Sequence, residues 1–215
     1  PAGSVAVHDG TAAFASRGLV LSFFGKSSHA SQPENGHNPA RAISKLIIDI
    51  PELTAREDHR GIVMATVVCV RIGEEAFGTN AGFGQLMLTI RAEFESELDA
   101  LDAEICARAR AYARQDGITN VKIQYRDSFP ETRNTPDAVA AVRKARLECG
   151  LPEARWDEPF RSSEDFGCYT KLTSGALFYI GCGTRHAKLH TREYDFNDEI
   201  IEPAVDMMFR LAQDA

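Results

Sequence analysis

The order of the periodic segments between residues 18 and 125 restricts the fold more than any other feature of this sequence. Two helical segments are each flanked by extended segments, and two extended segments follow each other directly. The predicted elements are extended runs at Gly18–Phe24 and Lys26–Ala30, a helix at Pro39–Ile50, strands at Ile62–Ile72 and Gln85–Phe94, a helix at Glu97–Gln115 and a strand at Val121–Tyr125. The order strand, helix, strand, strand, helix, strand predicts a ferredoxin-like α+β domain.

The two long helices are predicted from apolar periodicity and from signals at their ends. In the first helix, Ile43, Leu46 and Ile50 fall on one face of a 3.6-residue period. Asn38 is suited to the N-cap of that helix, and it is followed by a proline at a position where proline is tolerated. The second helix is expected to end at Gly117.

The last part of the chain differs from the first. Pro130 and Pro136 bracket a short linker, which suggests a domain boundary. Beyond it the sequence predicts a helix at Asp137–Cys149, an apolar strand at Gly175–Ile180 and a final helix at about Pro203–Ala212. A single strand in about 85 residues has no sheet of its own, so we expect its neighbours to come from elsewhere.

Composition narrows the class of protein. The net charge of −7 argues against binding to nucleic acid, which requires clustered Lys and Arg. There is no apolar run of about 18 residues, so no membrane span is expected, and the N-terminal segment lacks the pattern of a signal peptide. The five cysteines are odd in number and widely spaced, which favours reduced thiols and a cytoplasmic location over a disulfide framework.

Two histidines near the C-terminus are candidate metal ligands. His186 and His190 are four residues apart, as on a zinc-binding helix. That chemistry needs a helix and a glutamate beside the first histidine, whereas the surrounding sequence is typical of a loop. One ligand in a loop after a strand is therefore the better hypothesis for His190, beside the alternative of an ordinary polar loop residue.

Three other polar positions have both a structural and a functional interpretation. Glu164 and Asp165 are adjacent, so in an extended segment they point to opposite sides, and they otherwise suit a helix start after Ser163. His29 lies in a turn of small residues, where it is either a hydrogen-bonded turn residue or a catalytic one. Arg91 lies inside a strand and needs a partner, either a structural carboxylate or that of a substrate.

Four stretches together resemble the M20 metallopeptidase and aminoacylase family, especially its bacterial amidohydrolase branch of the hippurate hydrolase and auxin-conjugate hydrolase type. The resemblance covers nearly the whole chain in the right order. The stretches are Gly25–Ser31 with Pro33–Gly36 and Asn38–Ala40, then Gly78–Arg91, then Ser163–Phe166, and finally Leu189–His190 with Tyr194–Asp198.

The resemblance implies a zinc-peptidase-like α/β catalytic domain that is interrupted by a ferredoxin-like lid, through which the protein forms a homodimer. It implies that residues 17–128 are the lid, that 129–215 are the C-terminal part of the catalytic domain, and that 1–16 are the end of its first segment. The family's other metal ligands and its general-base glutamate precede the position of Pro1. We therefore expect this chain to be a truncated portion of such an enzyme.

The resemblance also implies roles for single residues. His190 would be a metal ligand, and His29 would reach the partner subunit's site and polarise the scissile carbonyl. Arg91 would bind the substrate carboxylate, and Glu164 would line the metal pocket. Asn80 would stand for the family's lid asparagine and bind the substrate, although the Val-Ile-Pro that usually follows is absent here.

The implied reaction is metal-dependent hydrolysis of the amide bond of small-molecule N-acyl amino acids or small peptides. The divalent metal is expected to be Zn²⁺, with Mn, Co or Ni as alternatives. Such chemistry needs at least about three protein ligands, and this chain offers one convincing ligand, so the chain alone is expected to be inactive. The alternative function is that of a non-catalytic dimerisation or binding module derived from such an enzyme.

Overall fold

The structure is a computed structural model that describes residues 1–185, 187 and 189–213. The chain forms two compact units. Residues 14–131 form the first, called here the sheet unit, and residues 1–13 together with the chain from 132 onward form the second, called here the terminal unit. The assignment of these units to a lid and to parts of a catalytic domain stays a prediction.

The elements have the following bounds. The strands are β1 (Val5–Val7), β2 (Gly10–Ala13), β3 (Ala15–Phe24), β4 (Ser28–His29), β5 (Val63–Ile72), β6 (Thr79–Asn80), β7 (Phe83–Ala92), β8 (Asn120–Phe129), β9 (Thr132–Asn134) and β10 (Phe178–Ile180). The helices are α1 (Ala40–Thr54), α2 (Glu95–Gln115), α3 (Pro136–Glu148), α4 (Gly167–Thr170) and α5 (Ile201–Gln213). No helix in the described part of the chain is both long enough and apolar enough to cross a membrane.

The sheet unit is a four-stranded antiparallel sheet in the order β5-β7-β3-β8. With α1 between β3 and β5 and α2 between β7 and β8, this is the ferredoxin-like arrangement, and the prediction of that fold is confirmed. β3 and β7 are the central strands, and Leu19 of β3 lies between Leu88 and Tyr125 of its two neighbours. β5 and β8 are the edge strands.

Both helices pack on the same face of the sheet, because alternate strand residues and one stripe of each helix are apolar. The buried cluster includes Leu21 and Phe23 of β3, Leu88 of β7, Ile43 of α1 and Ile105 of α2. Each such side chain contributes roughly 1.5–3 kcal/mol when it leaves water. Residues of opposite parity on each strand form the other face of the sheet, called here the open face.

Among the boundaries that differ from the prediction, two have an identifiable physical reason. α1 continues past Pro51 to Thr54, since Leu53 is buried and the N–H of Ala55 still bonds to the carbonyl of Pro51 at 3.1 Å. The predicted strand at Lys26–Ala30 shrinks to β4, because the residues before Ser28 turn to pair with His37.

In the terminal unit, the apolar C-terminal strand finds its partner at the other end of the chain. β10 pairs antiparallel with β1, with Val7 opposite Phe178, and β2 pairs with β9. Val5, Val142 of α3 and Met207 of α5 form the small buried cluster beside this ribbon. The expectation that the strand takes its neighbour from outside the tail is confirmed, since β1 precedes the sheet unit.

A buried amide links three segments of the terminal unit. The Asn134 side chain is 3% exposed. Its Nδ2 donates to the carbonyls of His8 and Leu177 at 2.9 and 3.0 Å, and its Oδ1 accepts from the N–H of Leu177 at 2.8 Å. Asn134 therefore satisfies backbone groups that would otherwise be buried without partners.

Candidate functional site

The two central strands of the sheet continue as a narrow ribbon that carries His29. The N–H of Gly25 bonds to the carbonyl of Gly82 at 2.8 Å, and His29 of β4 then pairs with Thr79 of β6. A Cβ on Gly25 would lie 1.9 Å from the carbonyl oxygen of His37, so only glycine allows these two segments of the chain to approach this closely. The sequence thus places His29 at the end of the ribbon, beyond the hydrophobic core.

The hydrogen bonds of the His29 ring determine which of its nitrogens carries a proton. The backbone N–H of Ser31 donates to Nδ1 at 3.1 Å, and the Ser31 hydroxyl lies 2.7 Å from the same atom. Because a backbone N–H can only donate, Nδ1 of the neutral ring is the acceptor, and the proton is assigned to Nε2. The side chain is exposed, so Nε2–H can donate to a carbonyl oxygen of another molecule.

Asn80 holds the ribbon in place through its side-chain amide. Its Oδ1 accepts from Asn38 Nδ2 at 2.7 Å, and its Nδ2 donates to the Ser28 hydroxyl at 3.1 Å and lies 3.4 Å from the carbonyl of Pro33. Asn38 in turn accepts the N–H of Ala40 at 2.9 Å, at the start of α1. In this arrangement Asn80 positions the segment around His29.

A cavity of about 220 Å³ lies beside the ribbon. Ser27 and Thr79 line it near His29, Phe83 lines it where β7 begins, and Ile72 and Glu74 line it from the end of β5. The cavity offers hydroxyl groups, one carboxylate and an aromatic face within the sheet unit. Its lining includes Ser27, which lies two positions before the predicted catalytic histidine in the sequence.

Arg91 lies at the opposite end of β7, opposite Ser16 of β3 and Met64 of β5. The strand from Phe83 to Arg91 spans about 26 Å at about 3.3 Å per residue. A single small substrate therefore cannot contact His29 and Arg91 of the same protomer. The structure brings His29 and Asn80 together and leaves Arg91 apart from them.

Glu164 lies in the terminal unit near an aromatic cluster that sequence patterns do not reveal. The rings of Trp156 and Phe160 lie 4.9 and 4.6 Å from the ring of Tyr179, between centroids. Burial, and then the charge of Glu164, raise the pKa of Tyr179 to about 12. The helix expected to start after Ser163 begins only at Gly167, so Glu164 is an exposed loop residue that precedes it.

His190 is an exposed loop residue with φ of 65°, a left-handed conformation that is uncommon for residues other than glycine. His186 lies outside the described residues. Among the residues that the structure describes, no three His, Cys, Asp or Glu side chains are grouped so that they could hold a metal ion. The described residues therefore do not fit a complete metal centre by themselves.

Comparison with known proteins places this geometry in a family. Residues 11–117 match the family described as a peptidase dimerisation domain. N-acetyldiaminopimelate deacetylase of Bacillus licheniformis is 26% identical over 97% of this chain and 55% of its own length. Hippurate hydrolase of Campylobacter jejuni is 23% identical over 89% of this chain and 50% of its own length.

The solved structure of the YxeP protein of Bacillus subtilis, described as a dinuclear metal-binding peptidase of the M20 family, has the same fold. It superposes with a TM-score of 0.77 at 16% identity and covers 99% of this chain and 53% of its own. The chain thus spans about half the length of the curated relatives that it matches. Residues 11–117 therefore belong to the peptidase dimerisation domain of the M20 family, and the chain as a whole is similar to M20 peptidases and amidohydrolases.

Proposed function

We propose that this chain supplies the dimerisation domain and part of the active-site wall of a metal-dependent amidohydrolase that acts on N-acyl amino acids or small peptides. The observation that carries the proposal is the His29 ring, which is held at the end of a ribbon with its Nε2–H free to donate. The names of the relatives, a deacetylase and a hippurate hydrolase, support the same reaction class.

In this function His29 donates its Nε2 proton in a hydrogen bond to the carbonyl oxygen of the scissile amide. Negative charge develops on that oxygen when the carbonyl carbon is attacked, so the hydrogen bond strengthens in the transition state. A single donor of this kind is worth about 10²–10³-fold in rate. The carbonyl belongs to a substrate in the partner subunit's site, so a dimer is required.

The metal of the whole enzyme is a divalent ion, Zn²⁺ in this proposal, with Mn, Co or Ni as alternatives. Such an ion polarises the carbonyl and lowers the pKa of a bound water. His190 is the ligand that this chain would contribute, and the described residues hold no group of three candidate ligand side chains around it. The chain's own contribution is therefore substrate polarisation and dimerisation.

The dimer contact is proposed to involve β5, the edge strand of the sheet. Val67, Val68 and Val70 are exposed apolar residues on this strand. An unpaired apolar edge favours association with another strand, and pairing with the same edge of a second copy closes a twofold dimer. The proposal also includes a small-molecule substrate, an N-acyl amino acid or small peptide, and a cytoplasmic location for the protein.

A second candidate function is a non-catalytic dimerisation or binding module derived from such an enzyme. The observation that favours it is the lack of a three-ligand cluster among the described residues. The two functions differ in whether protein containing this chain hydrolyses amides at all.

The test is hydrolysis of N-benzoyl and N-acetyl amino acids by the purified protein that contains this chain, after its polypeptides have been weighed under denaturing conditions. If the sample contains more than the 23.6 kDa chain, we expect hydrolysis that a chelator abolishes. His29→Ala should then lower kcat by about 10²–10³-fold, while the exposed His37→Ala serves as the control. Unchanged turnover in His29→Ala would remove His29 from the mechanism. A heavier sample that hydrolyses none of these substrates would favour the binding module.

A further inference from the structure

The loop between β5 and β6 ends in a tight turn that carries a fully exposed phenylalanine. The N–H of Thr79 bonds to the carbonyl of Ala76 at 3.1 Å, so residues 76–79 form a β-turn with Phe77 at its first central position. This turn is called here the ribbon turn. The N–H of Ala76 also bonds to the carbonyl of Glu74 at 2.8 Å. The backbone therefore holds Phe77 outward, and the side chain stays fully exposed.

A single exposed apolar side chain is common on protein surfaces and needs no explanation by itself. Phe77 differs in two respects that bear on binding. It is an aromatic residue, which brings a large apolar area to a contact with few rotatable bonds. It also lies on a hydrogen-bonded turn, so little backbone freedom would be lost when another molecule covers the ring. These are the properties of an anchoring residue, and its location decides what it can anchor to.

The ribbon turn lies at the same end of the ribbon as His29. Thr79 of β6 pairs with His29 of β4, and the carbonyl of Gly78 accepts the N–H of Ala30 at 3.0 Å. Paired Cα atoms of antiparallel strands lie about 4.5–5.5 Å apart, and two further residues span at most about 7 Å. The Cα atom of Phe77 is therefore within about 13 Å of that of His29. A surface that receives the His29 ring also comes within reach of Phe77.

The terminal unit has a matching apolar group around His190. Residues 189–196 are called here the His190 loop. The large apolar residues exposed on this loop are Leu189 at 66%, Tyr194 at 36% and Phe196 at 50%. The N–H of Tyr194 bonds to the carbonyl of Thr191 at 3.2 Å, and the side chain of Asn197 just beyond the loop donates to the carbonyl of Cys182 at 2.9 Å. The loop is thus held at both places while its apolar side chains remain in water.

We propose that Phe77 of one copy packs against the His190 loop of a second copy, on the partner's Tyr194 and the partner's Phe196. The inference rests on the proposed function, in which His29 reaches a substrate held beside the His190 of the partner subunit. A small substrate leaves the ribbon end and that loop facing each other, and both carry exposed aromatic rings. Their contact excludes water from the hydrogen bond that His29 donates, and a hydrogen bond is stronger where water is excluded. Phe77 is thus a positioning residue for the shared site.

The first experiment is photo-cross-linking of the purified protein that contains this chain. Photoreactive benzoylphenylalanine replaces Phe77 in unlabelled copies, which exchange subunits with ¹⁵N-labelled native copies before irradiation. Mass spectrometry then shows which copy and which residues are cross-linked. We expect cross-links from position 77 to residues 189–196 of the labelled copy. The same probe in place of Tyr125, which is exposed on the opposite edge strand β8, is the control and should give no cross-links to that loop.

The second experiment is a double-mutant cycle on the dissociation constant of the dimer, measured by sedimentation equilibrium. Phe77→Ala should weaken the dimer at least fivefold, and Phe77→Leu should weaken it less. Glu75→Ala, at an exposed position of the same loop, should change it less than twofold. Residues in contact do not act independently, so Phe77→Ala combined with Tyr194→Ala should weaken the dimer at least threefold less than the product of the two single effects.

Cross-links that join position 77 only to its own copy, or to another surface of the partner, would overturn the proposal. Equal effects of Phe77→Ala and Glu75→Ala would overturn it as well, and so would single effects that simply multiply in the double variant. Both experiments measure assembly without turnover, so their failure is distinct from that of the proposed function. Hydrolysis by a dimer without the cross-link would refute only this inference, and the cross-link in a dimer that hydrolyses no amide would refute only the amidohydrolase.

Discussion

Replacing Asn134 by Ala should destabilise the terminal unit strongly, although the residue lies in a three-residue strand. The substitution removes three hydrogen bonds, to the carbonyl of His8 and to both backbone groups of Leu177. Each is worth about 0.5–1.5 kcal/mol net, and the abandoned backbone groups lie in a region that excludes water. The free energy of unfolding should therefore fall by about 2–4 kcal/mol.

The assay is urea unfolding followed by the fluorescence of Trp156, the only tryptophan of the chain, which lies in the terminal unit. Because two units need not unfold together, a probe confined to one of them is required. With a slope of about 2 kcal/mol per molar urea, the midpoint should fall by about 1–2 M. Arg133→Ala, at the exposed neighbouring position of β9 in the same unit, is the control. A loss in Asn134→Ala no larger than in Arg133→Ala would refute the role given to this amide.

Two further predictions concern the sheet unit. The pKa of His59 is raised above 6.5, first because Nε2 donates to the carbonyl of Leu53 at 2.7 Å and also because Nδ1 lies 3.0 Å from Glu97. Folding therefore favours the protonated ring. The resulting stabilisation is fully present below pH 6.5 and is lost as the pH rises through the folded-state pKa. Urea midpoints between pH 5.5 and 8.5 should decline in the native chain and stay flatter in His59→Gln, and parallel curves would contradict the assignment. Val68 is 62% exposed on β5, so Val68→Asp should lower the dimer fraction at least tenfold in sedimentation equilibrium. Asn120→Asp on the opposite edge strand should leave it unchanged, and equal dimerisation in both variants would exclude β5 from the contact.

The fold of the sheet unit could be predicted because its signals are local. Alternating burial along β7 and the stripe that includes Ile43 and Ile105 both follow from periods that the sequence shows directly. The extension of α1 past Pro51 could not be predicted, since the burial of Leu53 offsets the proline only in the folded chain. Local preference was overridden there by tertiary packing.

The terminal unit was harder to predict, because its pairings join distant parts of the chain. β1 carries only three residues, and nothing in Val5–Val7 specifies β10 as its partner. Asn134 looked like a linker residue, and its role depends on segments more than 40 positions away in either direction.

The sequence predicts which residues belong to the candidate site, but it does not predict how these residues are arranged in space. The sequence places His29 in a turn of small residues, yet the tautomer of the ring follows from its hydrogen bond with Ser31 and requires coordinates. The resemblance implies that both Arg91 and Asn80 bind the substrate, whereas the length of β7 separates them within a protomer. Phe77 carries no sequence signal, because its exposure follows from the turn that residues 76–79 form.

The chain leaves the terminal unit after Ala13 and returns to it at Thr132. Ala13 lies opposite Thr132 in the β2–β9 pair, and Ser16 lies opposite Phe129 in the β3–β8 pair. The segment between them thus begins and ends at neighbouring points, about one strand spacing apart. A segment with adjacent ends can be inserted, exchanged or excised with little disturbance to its host. The sheet unit therefore has the topology of a transferable insertion, and the proposed dimer contact and the ribbon histidine would be transferred together in a single genetic event.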